Sequence, residues 1–377
     1  MVGYGGFGRF LHRSWSRLED VEVVAVADSD PTAEPESLDR FATWEALIEE
    51  PSLDLIAIAT PPNTHAQIAC AAMEAGRHVL IEKPLATTRE DAQRLIEVQA
   101  RTGRRAAIDH MLRFHPFIEI LQDWAVRRPF GALRRVLVEN YAQDESLPPD
   151  HWFWDRSISG GILVEHAVHF IDIVQACVGP RRTSVWGRSV RRSDGRPDRV
   201  VMSVVYEGGA VMTQYHAFSR PGFFEDTSMR FVFDLAQVDV QGWIPLSGRV
   251  SALVSRTSEG ELGRLSGLYD VRRVLISEAR NLSHPQDGAA RSRRGTDEDS
   301  VISAGLRYDV TSRIDAGFEL ALSKPEVYSA SLNALMRDLV RGIRDPEHQL
   351  RVRLEDGLAS LETALEATDA ARDPIHT

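Results

Sequence analysis

The sequence predicts two domains of different class: a doubly wound α/β domain with a parallel sheet over residues 1–115, and an α+β domain with an open, mainly antiparallel sheet over residues 116–377. Three observations carry this. At 377 residues the chain exceeds the roughly 250–300 residues at which a single hydrophobic core stops growing. Its first third alternates short β-branched runs with amphipathic stretches, the pattern of parallel strands wrapped by helices. Beyond Pro116 the alternation gives way to longer strands joined by tight turns, as in an antiparallel sheet.

In the first domain residues 21–27, 53–60, 78–82 and 105–110 read as strands, and residues 64–74 as a helix. Residues 87–102 form a further helix: Thr87 stands three residues before Glu90, a capping-box spacing, and Gly103 ends the periodicity. In the second domain residues 133–142, 184–191, 229–240 and 249–255 read as strands. Residues 200–218 form a hairpin interrupted at Glu207-Gly208-Gly209. Residues 284–300, rich in Arg, Asp, Gly and Ser, bury little apolar surface and are expected to be a mobile insertion. Helical periodicity returns at residues 329–343 and 354–371.

Composition narrows the function classes. Hydrophobic residues at 43% and charged residues at 26% fit a globular protein. No window reaches the ~18 uninterrupted apolar residues of a membrane span, so no membrane partner is expected. A net charge of −11 repels polyphosphate backbones, which argues against nucleic acid and for a small-molecule partner. Cys70 and Cys177 lie far apart in apolar helical contexts; they read as buried thiols, and with no leader-like segment after Met1 the expected compartment is the cytoplasm.

Gly3-Tyr4-Gly5-Gly6-Phe7-Gly8 fits GxGxxG, in which glycines permit a tight turn, close backbone approach to a pyrophosphate and packing of helix on strand. The strand at residues 21–27 ends in Asp28, about 20 residues past Gly8, where a carboxylate accepts hydrogen bonds from an adenosine ribose. Together these predict a Rossmann dinucleotide site. NAD(H) is expected over NADP(H), because Asp28 repels a 2′-phosphate and the following Ser29 and Asp30 supply no arginine to hold one. The alternative is that Asp28 caps the turn after it. Only Met1 and Val2 precede the first glycine, so either the true start lies upstream or the central strand is badly shortened.

Two blocks follow at telling positions: Ala59-Thr60-Pro61-Pro62-Asn63-Thr64-His65, and Gly76-Arg77-His78-Val79-Leu80-Ile81-Glu82-Lys83-Pro84. Independently of any relative, Lys83 at the carboxyl end of a parallel strand lies in the crevice where such sheets bind ligands. The blocks resemble the Gfo/Idh/MocA oxidoreductases, whose Glu-Lys-Pro signature places its lysine beside the nicotinamide and the substrate hydroxyl. The resemblance implies that Thr60, Pro61, Asn63, His65, Glu82 and Lys83 border the cofactor. It also implies that Arg113, in Arg113-Phe114-His115-Pro116, nears cofactor or substrate.

A third segment, Ser159-Gly160-Gly161-Ile162-Leu163-Val164-Glu165-His166-Ala167-Val168-His169-Phe170-Ile171-Asp172, resembles the family's glycine-rich helix start followed by Asp-x-Gly-x-His. Glu165 replaces the usual aspartate and Ala167 the usual glycine. On a regular helix Glu165 and His169 share one face, and an otherwise apolar helix bearing Glu165, His166, His169 and Asp172 points to a site, because buried ionisable groups are costly unless paired or used. A structural histidine is the alternative. A metal site is not expected, since no third ligand at zinc-like spacing accompanies Glu165, His166 and His169. Trp152, Trp154, Asp155 and Arg156 offer aromatic faces and hydrogen bonds for a sugar-like substrate, or equally a core-packing loop.

The expected reaction is hydride transfer between nicotinamide and a secondary alcohol or ketone of a sugar, inositol or related polyol. Lys83 and His169 exchange the hydroxyl proton, and Glu165 tunes them. Family resemblance also implies a homo-oligomer formed through the second sheet. The alternatives are an NAD-dependent glycosidase or lyase working by transient oxidation, and a non-catalytic dinucleotide-binding regulator.

Overall fold

A computed structural model describes residues 1–31, 37–276 and 300–371. The insertion expected at residues 284–300 falls outside the described residues except for Ser300.

The N-terminal sheet is parallel throughout. Its strands are β1 (Ala25–Ala27), β2 (Asp39–Phe41), β3 (Leu55–Ile58), β4 (His78–Ile81) and β5 (Ala106–Ile108). β1 pairs with β2, and β3-β4-β5 follow in register Leu55↔His78 and Val79↔Ala106. Val2 joins the two groups, bridging Ala27 on one side and Ile58 on the other. Its amide donates to the carbonyl of Ala57 at 2.8 Å, and its own carbonyl accepts from Ala59 at 2.8 Å. Two residues therefore occupy the central strand position. Only the last three residues of the strand expected at 21–27 enter the ladder. The preceding extended residues lie along a cavity of about 680 Å³ lined by Val21, Val23, Leu53 and Leu55.

Helices α1 (Gly6–Trp15), α2 (Trp44–Ile48), α3 (His65–Glu74) and α4 (Arg89–Thr102) accompany this sheet. Ile56, Val79, Ile81, Ala106 and Ile108 are fully buried, as strands covered on both faces must be. The cap of α4 lies one residue later than expected: Thr88 Oγ1, not Thr87, accepts from the Asp91 amide at 3.1 Å, while Gly103 closes the helix in the left-handed region at φ 66°.

After α5 (Pro116–Arg127), a helix missed in the sequence, come β6 (Leu133–Gln143), α6 (Arg156–Ser159) and α7 (Val168–Val178). Strands β7 (Arg182–Arg191), β8 (Pro197–Tyr206), β9 (Val211–Arg220), β10 (Asp226–Phe233), β11 (Ala236–Gln241) and β12 (Ser247–Val254) follow. The described chain is completed by α8 (Glu259–Leu262), β13 (Tyr269–Leu275), β14 (Ser300–Ser303), β15 (Leu306–Asp309), β16 (Ser312–Glu319), α9 (Lys324–Arg344) and α10 (Leu354–Ala370).

Nine strands form one sheet in the order β13-β16-β12-β11-β10-β6-β9-β8-β7, antiparallel except for the β6–β9 pair. The single strand expected at residues 229–240 is two, β10 and β11. They turn at Asp234, whose carboxylate accepts from Arg134 Nε at 2.8 Å and from the Ala132 amide at 2.7 Å. The C-terminal helices run back to the first sheet. Tyr328 on α9 packs on Phe10 of α1 with ring centroids 4.8 Å apart, and α10 touches α4 and β5 as well as α7 and β7.

Candidate active site

The carboxyl ends of the parallel strands open into a cleft of about 340 Å³. Thr60 follows β3, Glu82 and Lys83 follow β4, and Asp109 follows β5; all four line it, with Phe7 and Pro62. Trp152, Glu165, His166, His169 and Trp243 close it from the other side, and Tyr328 from α9.

The glycine loop fits a dinucleotide on its geometry. Gly3 has φ 90°, and a Cβ there would lie 2.5 Å from the carbonyl oxygen of Ala59; a Cβ on Gly8 would meet the Gly3 carbonyl. Gly5 and Gly6, by contrast, face open space, and no side chain caps the first turn of α1. Its free amides and dipole are therefore available to an anion such as a pyrophosphate. Asp28 sits beside this loop, with Oδ2 2.5 Å from the Tyr4 amide and Oδ1 2.8 Å from the Asp30 amide. It thus caps its own turn and also faces the loop. An arginine does stand nearby, contrary to the reading from Ser29 and Asp30: Arg40 of β2 donates to the carbonyls of Pro31 at 2.9 Å and Asp30 at 3.1 Å.

The Thr60–His65 turn is held from within. Thr64 Oγ1 donates to Thr60 Oγ1 at 2.7 Å, and the ring nitrogens of His65 lie 2.8 Å from the carbonyls of Thr60 and Pro84. Burial pushes the His65 pKa down while the two carbonyls oppose the shift. His65 therefore ties the β3 turn to the β4 turn from beneath, whereas Pro61 and Asn63 are exposed on the rim.

Lys83 Nζ lies 2.5 Å from Glu165 Oε1 and 3.0 Å from the Glu165 carbonyl. Glu165 does not sit on a regular α-helix: Leu163–Ala167 is a π-turn that leads into α7. The wider turn inserts a residue into the helical repeat, and such turns are frequent at functional sites. It brings Glu165, His166 and His169 into the one cleft. Gly160, with φ 78°, starts this segment where a Cβ would strike Val164.

Burial favours the neutral form of the histidines in and behind the cleft. Burial, then the Lys83 charge, lowers His166 to about 3 and drives His169 well below its ordinary value; burial does the same to His216 and lowers His110. Trp243 stacks on His166 at 5.4 Å between centroids and presents an edge to His169 at 4.5 Å. Among the described residues none bonds His169 Nδ1. Glu82 and Asp109 are both raised, Glu82 by burial and then the Asp109 charge, Asp109 by burial.

Three sequence candidates stand elsewhere. Arg113 is buried behind the cleft, donating to Asp172 through Nε at 2.8 Å and Nη2 at 2.5 Å, with Asp356 at 3.2 Å. Asp172 raises the Arg113 pKa further, against the effect of burial. Asp155 caps α6, accepting from the Ser157 amide at 2.8 Å. Trp154 donates to the Leu147 carbonyl and lies under Arg192, outside the cleft that Trp152 lines. Sequence reasoning missed Trp243, Asp109 and Tyr328. Asp109 alone had a signal, its place at the carboxyl end of a parallel strand.

Comparison with known proteins agrees with this geometry. Residues 1–110 match the family model described as oxidoreductase family, NAD-binding Rossmann fold, and residues 128–235 match the GFO/IDH/MocA C-terminal domain. The chain belongs to the Gfo/Idh/MocA family. Levoglucosan dehydrogenase of Pseudarthrobacter phenanthrenivorans is 32% identical over 170 residues, 41% of this chain and 42% of that protein, so the match spans less than half of that relative's length. Inositol 2-dehydrogenase 2 of Saccharopolyspora erythraea is 28% identical over 268 residues, 68% of this chain and 76% of that protein. The crystal structure of GenD2 from gentamicin A biosynthesis, in complex with NAD, superposes with TM-score 0.71 at 18% identity, covering 99% of this chain and 93% of that one. The N-terminal sheet is thus the family's NAD-binding Rossmann domain. Among the described residues of this Gfo/Idh/MocA protein, the one segment long and apolar enough for a membrane span, Arg156–Val178, is largely buried.

Proposed function

We propose that this chain is a dehydrogenase or reductase that moves a hydride between nicotinamide and a secondary alcohol or ketone of a sugar, inositol or related polyol. The observation that carries the reading is the convergence of Lys83, from a Rossmann strand end, with His169, from the second domain's helix, on one cleft below the glycine loop. Oxidised nicotinamide, when bound, accepts the hydride that leaves the carbinol carbon. The chain's own groups handle the proton. Neutral His169, with Nδ1 free, accepts the hydroxyl proton as the carbonyl forms, and in the reverse direction the imidazolium returns it. Lys83 spends two of its three donors on Glu165 and directs the remaining one to the substrate oxygen. Trp152 and Trp243 supply faces that stack on the C–H side of a sugar or inositol ring.

The domain boundary at residue 115 and a homo-oligomer through the nine-stranded sheet belong to the same reading, as does a reducing cytoplasm for the buried free thiols Cys70 and Cys177. The test is a titration with NADH followed by a panel of sugars, inositols and keto-sugars, with NADH absorbance as the readout. Substrate-dependent change in NADH supports the assignment; substrate turnover with no net NADH change overturns it in favour of transient oxidation.

A further inference from the structure

Resting on the cofactor reading above, the charges of the cleft leave one group unexplained. Among the described residues lining it, the charged side chains are Lys83, Glu165, Glu82 and Asp109. Lys83 and Glu165 cancel each other at 2.5 Å, and the histidines His166 and His169 are neutral. Glu82 and Asp109 remain. Both are buried, and they stand side by side, because they follow Ile81 and Ile108, which pair across β4 and β5. Among the described residues Glu82 Oε1 and Asp109 Oδ1 have no hydrogen-bond partner. Two buried carboxyl groups side by side share one proton, because burial and the neighbouring like charge oppose ionising both. The remaining negative charge is held by backbone amides: Lys83 N lies 3.2 Å from Glu82 Oε2, and the Met111 amide bonds Asp109. The other groups facing the pair are Lys83 itself, already committed to Glu165, and the phenol of Tyr328, which burial and these carboxylates keep neutral.

The cleft therefore carries one net negative charge with no cation of the protein assigned to it. A buried charge of this kind is costly unless a ligand completes it. We propose that the Glu82–Asp109 pair is a cation-recognition site whose ligand is the positively charged ring of the oxidised nicotinamide. The site makes the protein prefer the oxidised cofactor, since the reduced ring is uncharged and the remainder of the dinucleotide is the same in both forms.

A shared proton gives this proposal an unusual signature. Replacing either acid removes the like-charge neighbour and leaves one ionised carboxylate, so the net charge is unchanged. Only replacing both removes it. Dissociation constants for NAD+ and NADH are to be measured by calorimetry on the full chain and on Glu82→Gln, Asp109→Asn and the double variant. Each single variant is expected to keep the ratio of the two constants within about threefold of the parent. The double variant should weaken NAD+ by roughly tenfold while NADH stays within about threefold, the scale of one charge lost from a partly screened site. Should the double variant prove unfolded by its melting curve, Glu82→Ala/Asp109→Ala removes the same charge and leaves no amide to satisfy. A double variant with the parental ratio overturns the proposal, and so do single variants that each lose as much as the double. Failure of every form, parent included, to bind either dinucleotide overturns the cofactor reading instead.

Discussion

Lys83 Nζ is anchored twice by one residue, to Glu165 Oε1 at 2.5 Å and to the Glu165 carbonyl at 3.0 Å, which fastens the end of a Rossmann strand to the π-turn of the other domain. The carboxylate fixes the ammonium's direction and balances its charge. Glu165→Gln keeps the shape and removes the charge. It should lower kcat/KM for the alcohol by about 10- to 100-fold, the scale of one charge-assisted hydrogen bond, and leave NADH binding within a few fold. Unchanged kcat/KM would show that Glu165 serves only to hold the fold.

The Arg113–Asp172 pair calls for the opposite pattern. Asp172 is 0% exposed, and its two oxygens take both of the close guanidinium bonds, so Arg113 has no reach into the cleft. Asp172→Ala leaves a buried cation with only Asp356 beside it and should cost about 3–5 kcal/mol of stability in denaturant unfolding. NADH affinity of the folded fraction should stay within about threefold. Loss of cofactor binding without loss of stability would return Arg113 to the cofactor site.

On the proposed reading Asp28 decides between the dinucleotides. Its carboxylate faces the glycine loop, and the nearby Arg40 is held by the carbonyls of Asp30 and Pro31. NADH should bind at least about tenfold more tightly than NADPH, and Asp28→Ala should narrow that gap by removing both the ribose partner and the repulsion. Equal affinities in the parent protein would sink this, and would point to Arg40 turning onto a 2′-phosphate.

Stability should fall in acid. Burial lowers His115 to about 4 and His166 to about 3, and lowers His110, His169 and His216 as well. The unfolded chain takes up protons below about pH 6.5 that the native protein refuses, so this stability is present above that pH and lost below it. At pH 5 His115 and His166 each cost about 2 kcal/mol. The Glu82–Asp109 pair works the other way, because its raised pKa retains a proton that the unfolded chain releases, which offsets part of this loss. Tm should therefore be lower at pH 5 than at pH 7.5, and an equal or higher Tm in acid contradicts the neutral-histidine assignment.

What could be read from the sequence was what is local. The glycine loop, Glu82-Lys83-Pro84 and the segment from Ser159 to Asp172 announce themselves because a turn, a strand end and a helix each need those residues at short spacing. Helical periodicity also found α9 and α10 within a few residues. The misreadings came from partners distant in the chain. Asp172, the partner of Arg113, lies 59 residues away, out of reach of any local pattern, and the β10–β11 turn was invisible because Asp234 holds it through Arg134 without a glycine or proline signal. Trp243 reaches the cleft from a turn beyond β11, which no spacing in the sequence indicates. The π-turn at Leu163–Ala167 escaped because a 3.6-residue period was assumed throughout.

The proposed chemistry rests on Lys83 and His169, which come from different elements and line the same cleft. Lys83→Ala and His169→Ala should each lower kcat by roughly 10²- to 10⁴-fold, the usual contribution of a positioned acid or base, with NADH affinity within a few fold. That split separates a role in turnover from a role in folding or cofactor binding. Because both groups act on one hydroxyl, the double variant should lose far less than the product of the single losses. Multiplicative losses would mean independent roles. Since His169 works as a neutral base whose pKa burial and Lys83 lower, Lys83→Ala should also shift the acidic limb of the alcohol-oxidation profile upward in pH. A limb that stays in place while kcat falls would put the proton on some other group and remove His169 from the mechanism.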